Sequence, residues 1–190
     1  HQVCNIFHEM DDDFLYFLDA GGFREAFSID ETVVLKRLLL RTGRFVQTNL
    51  NMVRTEALLM DRLQSSPHIA TTFGHCGGSM LVERSKELYD TIVPEQRGYS
   101  LGRIPQSELS EDFVSMNKLT PTEKIEIAIA MAESLKDLHS LGVVHDDISI
   151  YQWMIDNRGT IVLNDLNLAE FLFVNGTRYC QYYTRFEGRF

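Results

Sequence analysis

The sequence is short of cysteine and of basic residues, and each shortage removes a class of molecule. Its three cysteines (Cys4, Cys76 and Cys180) are an odd number, far apart, with no C-x-x-C pair. That pattern speaks against a disulfide framework or a zinc ribbon and favours a reducing compartment. Lys and Arg total 18 against 27 Asp and Glu, a formal net charge of −9. Such an acidic chain is a poor partner for nucleic acid or an anionic membrane, because neutralising phosphate needs clustered cations. No apolar run reaches the length of a membrane span, and no signal-peptide pattern is visible. Internal repeats and low-complexity tracts are missing too.

What is present is ordinary globular composition, 44% hydrophobic and 24% charged. That excludes a disordered chain and suits one domain, or two small lobes sharing a cleft. The chain opens on His1-Gln2 rather than Met, which reads as a piece of something longer. Asn175-Gly176-Thr177 is a glycosylation sequon that also reads as a turn.

The first third reads as strands around a turn. Apolar residues at 14–18 lead into Asp19-Ala20-Gly21-Gly22, and strand patterns resume at 25–29 and 32–40. At 50–64 the residues Val53, Ala57, Leu58, Met60 and Leu63 recur at helical spacing. Residues 69–73 and 80–82 read as two short strands joined by a turn at 74–79. Residues 84–120 are polar and aperiodic, a linker with room for one short helix near Leu88. Thr120-Pro121-Thr122-Glu123 then opens the strongest helix, with a stripe of Ile125, Ile129, Ala132, Leu135 and Leu138 closed by Gly142. Beyond it, strands at 153–156 and 160–163 flank the hairpin turn Asn157-Arg158-Gly159.

Four charged residues stand out for the elements that carry them. Lys36 lies in the strand Val33-Val34-Leu35-Lys36, and Glu56 lies inside the next helix. Asp147 follows the long helix in Val144-His145-Asp146-Asp147-Ile148-Ser149-Ile150-Tyr151-Gln152, and Asp165 in Asp165-Leu166-Asn167 follows the hairpin. In this order the sequence resembles the eukaryotic protein kinase family, from Phe14 to the end of the chain.

The resemblance implies an α+β, two-lobe fold. A small antiparallel-sheet lobe would span residues 14–83, a hinge or linker 84–120, and a partial helical lobe 121–190. It also implies ATP and Mg²⁺ as ligands and a protein hydroxyl as acceptor. Gly21, Gly22 and Phe23 would cover the nucleotide, and Val82 and Glu83 would line it at the hinge. Lys36 would hold the phosphates, itself held by Glu56. Asp147 would orient the attacking hydroxyl, and Asp165 and Gln152 would bind the metal. His145 is expected to pack beneath the loop, and Leu166 to serve as an apolar anchor.

Several positions depart from the family pattern. Asp19 and Arg24 replace the outer glycines, Asp146 the loop Arg, Gln152 the metal-binding Asn, Ser149 a Lys, and Asn167 the final Gly. Asp146 cannot pair with an activation-loop phosphate, and Asn167 is the least costly non-glycine choice if φ > 0 is required. The Ala-Pro-Glu motif is absent, so the chain is expected to stop within the activation segment, to leave apolar surface uncovered and to be inactive by itself. The leading expectation is an ATP-dependent protein kinase. A pseudokinase acting as a nucleotide-binding or protein-interaction module is the alternative, and a kinase-fold small-molecule phosphotransferase is a third.

Overall fold

A computed structural model describes residues 4–22, 24–39, 46–92, 118–172, 174–175 and 178–179. Phe23, most of the linker (93–117) and the end of the expected activation segment (180–190) lie outside the described residues.

Strands β1 (Tyr16–Ala20), β2 (Arg24–Ser28), β3 (Val33–Leu38), β4 (Thr72–Cys76) and β5 (Ser79–Glu83) form one antiparallel sheet, ordered β1-β2-β3-β5-β4. Side chains alternate across a strand, so Val34 and Lys36 share one face of β3 and Leu35 and Arg37 the other. On the outer face, Phe27, Leu35 and Leu81 form a small cluster covered by Phe7 and Met10 from the short helix α1 (Asn5–Glu9) and its end. The Arg37 guanidinium lies 4.3 Å above the Phe27 ring and pairs with Asp12 and Glu25.

A disulfide between Cys4 and Cys76 anchors α1 to β4, the edge strand. This corrects the reading from cysteine spacing. An odd count excludes only the pairing of every cysteine, and 72 residues of separation are bridged because β4 returns beside α1. The argument for a reducing compartment falls with it, since such bonds persist in oxidising surroundings.

The inner face carries the main core. Val34, Met80 and Val82 pack with Ala57, Leu59, Met60 and Leu63 at helix α2 (Gln47–Arg62), and the cluster continues through Leu138, Trp153, Leu163 and Leu166. Leu58, expected inside, is 54% exposed, and its neighbour Leu59 is buried in its place.

From β5 the chain enters β6 (Lys86–Glu87) and the short helix α3 (Leu88–Ile92), which matches the helix expected near Leu88. Helix α4 (Pro121–Ser140) starts at a complete capping box between Thr120 and Glu123. Gly142, at φ +68°, ends it in the left-handed conformation that suits glycine. The buried stripe differs from the expected one. Leu135 and Leu138 face the core as expected, but Ile125 and Ile129 are 61% and 52% exposed, and Ile127, Met131 and Ser134 turn inward instead. The Trp153 indole decides between these faces, because its buried N–H must reach an acceptor and donates to Ser134 Oγ at 3.0 Å.

Strand β7 (Val143–Val144) follows, then β8 (Trp153–Ile155) and β9 (Ile161–Leu163), in a sheet ordered β6-β8-β9. Gly159, at φ +81°, makes the expected β8–β9 turn. Asp156 staples that turn with both carboxylate oxygens, accepting from the Arg158 and Thr160 N–H groups and from the Arg158 side chain. Burial pushes its pKa up, but these hydrogen bonds and the Arg158 charge outweigh it and leave the carboxyl below its ordinary value. Strand β10 (Glu170–Phe171) pairs with β7, and β11 (Val174–Asn175) pairs with β12 (Arg178–Tyr179).

A strand was expected at 69–73, but β4 begins only at Thr72. Ile69 instead bridges to Leu163 in parallel, and the Ala70 N–H donates to Leu163 O at 3.0 Å. The segment thus joins the five-stranded sheet to β9. The fold is α+β, compatible with the small lobe of a kinase-like protein.

Candidate functional site

A cleft of about 460 Å³ opens between the five-stranded sheet and the β8–β9 hairpin. Its volume falls in the range of small-molecule sites. Ala26, Val34 and Val82 supply apolar wall from the sheet, and Met154 supplies it from the hairpin. Gly21, Gly22 and Glu83 line the rim. A Cβ added at Gly21 or Gly22 would meet nothing within 4 Å, so neither position needs glycine for want of space.

Strand alternation delivers Lys36 to this cleft. Across the β2–β3 ladder Lys36 pairs with Ala26, and Arg24 pairs with Leu38. Arg24, Ala26 and Lys36 therefore share the inner face, with the two cations diagonal to one another. Glu56 rises from α2 to meet both, its side chain wholly buried. Arg24 Nη1 contacts Glu56 Oε2, and Lys36 Nζ lies 3.5 Å from Glu56 Oε1. Lys36 Nζ also donates to Asn164 Oδ1 at 2.8 Å, directly beside Asp165.

The remaining groups come from the loops flanking the hairpin. His145 is buried, and burial holds its pKa below the ordinary histidine value despite the nearby Asp165, Asp147 and Glu56. Its Nδ1 accepts from the Asp147 N–H at 3.3 Å, which suits the packing role expected of it. Asp147 is exposed, and the buried Gln152 donates its amide to Asp147 Oδ2 at 2.9 Å. Asn167 donates in the same manner to Asp165 Oδ1.

Asp146 and Asp165 both hold left-handed backbone, at φ 58° and 56°. For non-glycine residues this is sparsely populated conformation that tends to collect at functional sites. It also corrects an expectation, since the left-handed residue of the Asp165-Leu166-Asn167 turn is Asp165 and not Asn167. Leu166 is fully buried and packs within the core cluster, as an apolar anchor should.

Lys36, Gln152, Val82, Glu83, Gly21, Gly22 and Asp165 thus line one cleft, with Glu56 behind Lys36 and Asp147 linked through Gln152. Phe23 lies outside the described residues. The reading from sequence missed Arg24 and Asn164. Arg24 shares the face of Lys36 only through the β2–β3 register, which the sequence does not fix. Asn164 carried no signal beyond preceding Asp165.

The donor set fits hard-cation and phosphate chemistry. Asp165 and Gln152 offer oxygen ligands, and a magnesium ion held through one or two protein oxygens completes its shell with phosphate and water. Among the described residues no cluster of three or more His, Cys, Asp or Glu side chains is arranged to hold a metal by itself.

No protein-family profile matches the chain. In sequence it is similar to the probable serine/threonine-protein kinase PknB of Corynebacterium glutamicum, with 26% identity over 167 residues. The match covers 81% of this chain but only 23% of that protein's length. Motif order, the α+β architecture and this sequence match agree on likeness to the protein kinase-like family.

Proposed function

We propose that the chain is the nucleotide-binding part of an ATP-dependent protein kinase, transferring a phosphoryl group from MgATP to a protein hydroxyl. Residues 14–83 would form the small lobe, 84–120 the hinge and linker, and 121–190 part of the helical lobe. One observation carries the reading. Lys36, Glu56 and the Asn164-Asp165 pair, more than a hundred residues apart between Glu56 and Asn164, meet at one cleft through contacts of 3.5 and 2.8 Å.

In this reading Lys36 neutralises the phosphates of the nucleotide and Glu56 fixes the lysine's flexible stem. The apolar walls at Ala26, Val34 and Val82 take the base. Asp165 and Gln152 would hold the magnesium, which when bound would supply charge neutralisation to the phosphates. Asp147 orients the acceptor hydroxyl and takes its proton. Gln152, hydrogen-bonded to Asp147, fixes the direction in which that carboxylate points.

A second reading is a pseudokinase that binds nucleotide without transfer. It is favoured by the side-chain amides of Gln152 and Asn167, which already occupy oxygens of Asp147 and Asp165. The full-length protein separates the two. MgATP is expected to raise its melting temperature under both, because a ligand of the folded state stabilises it. Radiolabel transfer to a generic protein acceptor, abolished by Asp147→Asn, is the outcome expected for a kinase. Thermal stabilisation without any transfer selects the pseudokinase, and no stabilisation by MgATP overturns both.

A further inference from the structure

Glu56 faces two cations, and they are not equivalent. Arg24 pairs with Oε2, while Lys36 stands 3.5 Å from Oε1 and has a hydrogen bond of 2.8 Å with Asn164. Both cations reach the carboxylate from the same sheet face, as the β2–β3 register requires. The carboxylate is wholly buried, and the side chains of Arg24 and Lys36 are only 9% and 14% exposed.

A buried carboxylate that loses its counter-ion is left with a large uncompensated desolvation cost. Were Lys36 the sole partner of Glu56, every move of its ammonium toward a phosphate would carry part of that cost. With Arg24 paired at Oε2, the Glu56 charge keeps a counter-ion when the lysine turns toward a phosphate. Arginine suits the task, since its guanidinium stays protonated and its fork matches a carboxylate. Lysine, a mobile point charge on a long stem, suits the other.

We propose that Arg24 is a positioning residue. It holds Glu56 permanently and so leaves the Lys36 ammonium, shared between Glu56 Oε1 and Asn164 Oδ1, available to the phosphates of a nucleotide. The inference rests on the nucleotide-binding reading above. It assigns Arg24 an effect on the ligand only through Lys36.

The test is a double-mutant cycle on MgATP affinity, with Arg24→Gln, Lys36→Met and the double variant made in the full-length protein. Arg24→Gln alone is expected to weaken binding about tenfold, a loss of about 1.4 kcal/mol. In the Lys36→Met background the same change is expected to have less than about a twofold effect, because no ammonium remains to be positioned. Arg24→Lys, which keeps the charge, is expected to recover part of the affinity, and it replaces Arg24→Gln in the cycle if that variant does not fold. Equal losses in both backgrounds would mean that Arg24 meets the ligand directly, and would overturn the inference. A lowered melting temperature with unchanged affinity would make Arg24 a structural latch only, and would overturn it too. Wild-type protein that fails to bind MgATP overturns the nucleotide reading itself and takes the inference with it, an outcome distinct from the other two.

Discussion

Helix α2 runs 16 residues and buries Val53, Glu56, Ala57, Leu59 and Met60, whereas α4 runs 20 and buries only Ser134 and Leu138. Their ends reverse the comparison. The residue before α2 is Val46, which offers no side-chain cap, while α4 begins with reciprocal hydrogen bonds between Thr120 and Glu123. One helix is held by what it packs against and the other is begun by local rules. Tertiary contact supplies most helical stability in proteins, yet a good cap adds to an end that little else holds. The cleft draws its buried carboxylate from the helix whose position depends on partners.

The largest effect that would sharpen this contrast is expected at Glu56. Glu56→Ala leaves Arg24 and Lys36 buried with no carboxylate between them, and chemical denaturation should show a loss of about 3–5 kcal/mol. A loss below about 1 kcal/mol, the value usual for exposed pairs, would mean that α2 is held by its apolar residues alone. Next comes the sheet's covalent tie. Cys4→Ser with Cys76→Ser should lower stability by about 2–4 kcal/mol, and a reductant should do the same to the wild type and nothing to the variant.

Acid provides a third probe. The folded pKa of His145 is held below the ordinary value by burial, so the unfolded chain binds this proton more readily than the native one. Stability from this group is therefore complete above the unfolded pKa, about 6.5, and is lost as pH falls below it. His145→Gln should flatten the melting temperature over that interval, and an unchanged slope would remove His145 as its cause. Smaller still, Thr120→Ala should cost about 1 kcal/mol at the start of α4. The smallest effect is expected at Ile129→Lys, which on an exposed face should change stability by no more than about 0.5 kcal/mol. A loss comparable with a core substitution would show that the outer face of α4 is covered in solution.

Much of the architecture could be read from residues because it follows local rules. The Thr120-Pro121 start, the Gly159 turn and the alternation that turns Lys36 inward each need only near neighbours. The failures occurred where a distant partner decides. Leu135 and Leu138 fit either stripe, and between Ile125/Ile129 and Ile127/Met131/Ser134 the hydrogen bond of the Trp153 indole to Ser134 favours the second. Residues 69–71 have strand-like character, but Leu163 takes Ile69 into a bridge of its own. The cross-link from Cys4 to Cys76 was hidden because spacing along a chain says nothing about where a strand returns. At the site, the four charged residues and their elements were legible, whereas the hold of Arg24 on Glu56 was seen only as a lost glycine.

The Cys4–Cys76 bond also divides the cleft in a way that outlasts the native state. Closing residues 4–76 into a covalent ring places Arg24, Lys36 and Glu56 inside it, and leaves Asp147, Gln152, Asn164 and Asp165 on the open tail. When the oxidised chain unfolds, the cationic wall and its carboxylate stay within one tethered loop, and the wall of carboxylates and amides disperses freely. Refolding then starts from a pre-gathered half, to which only the tail has still to return.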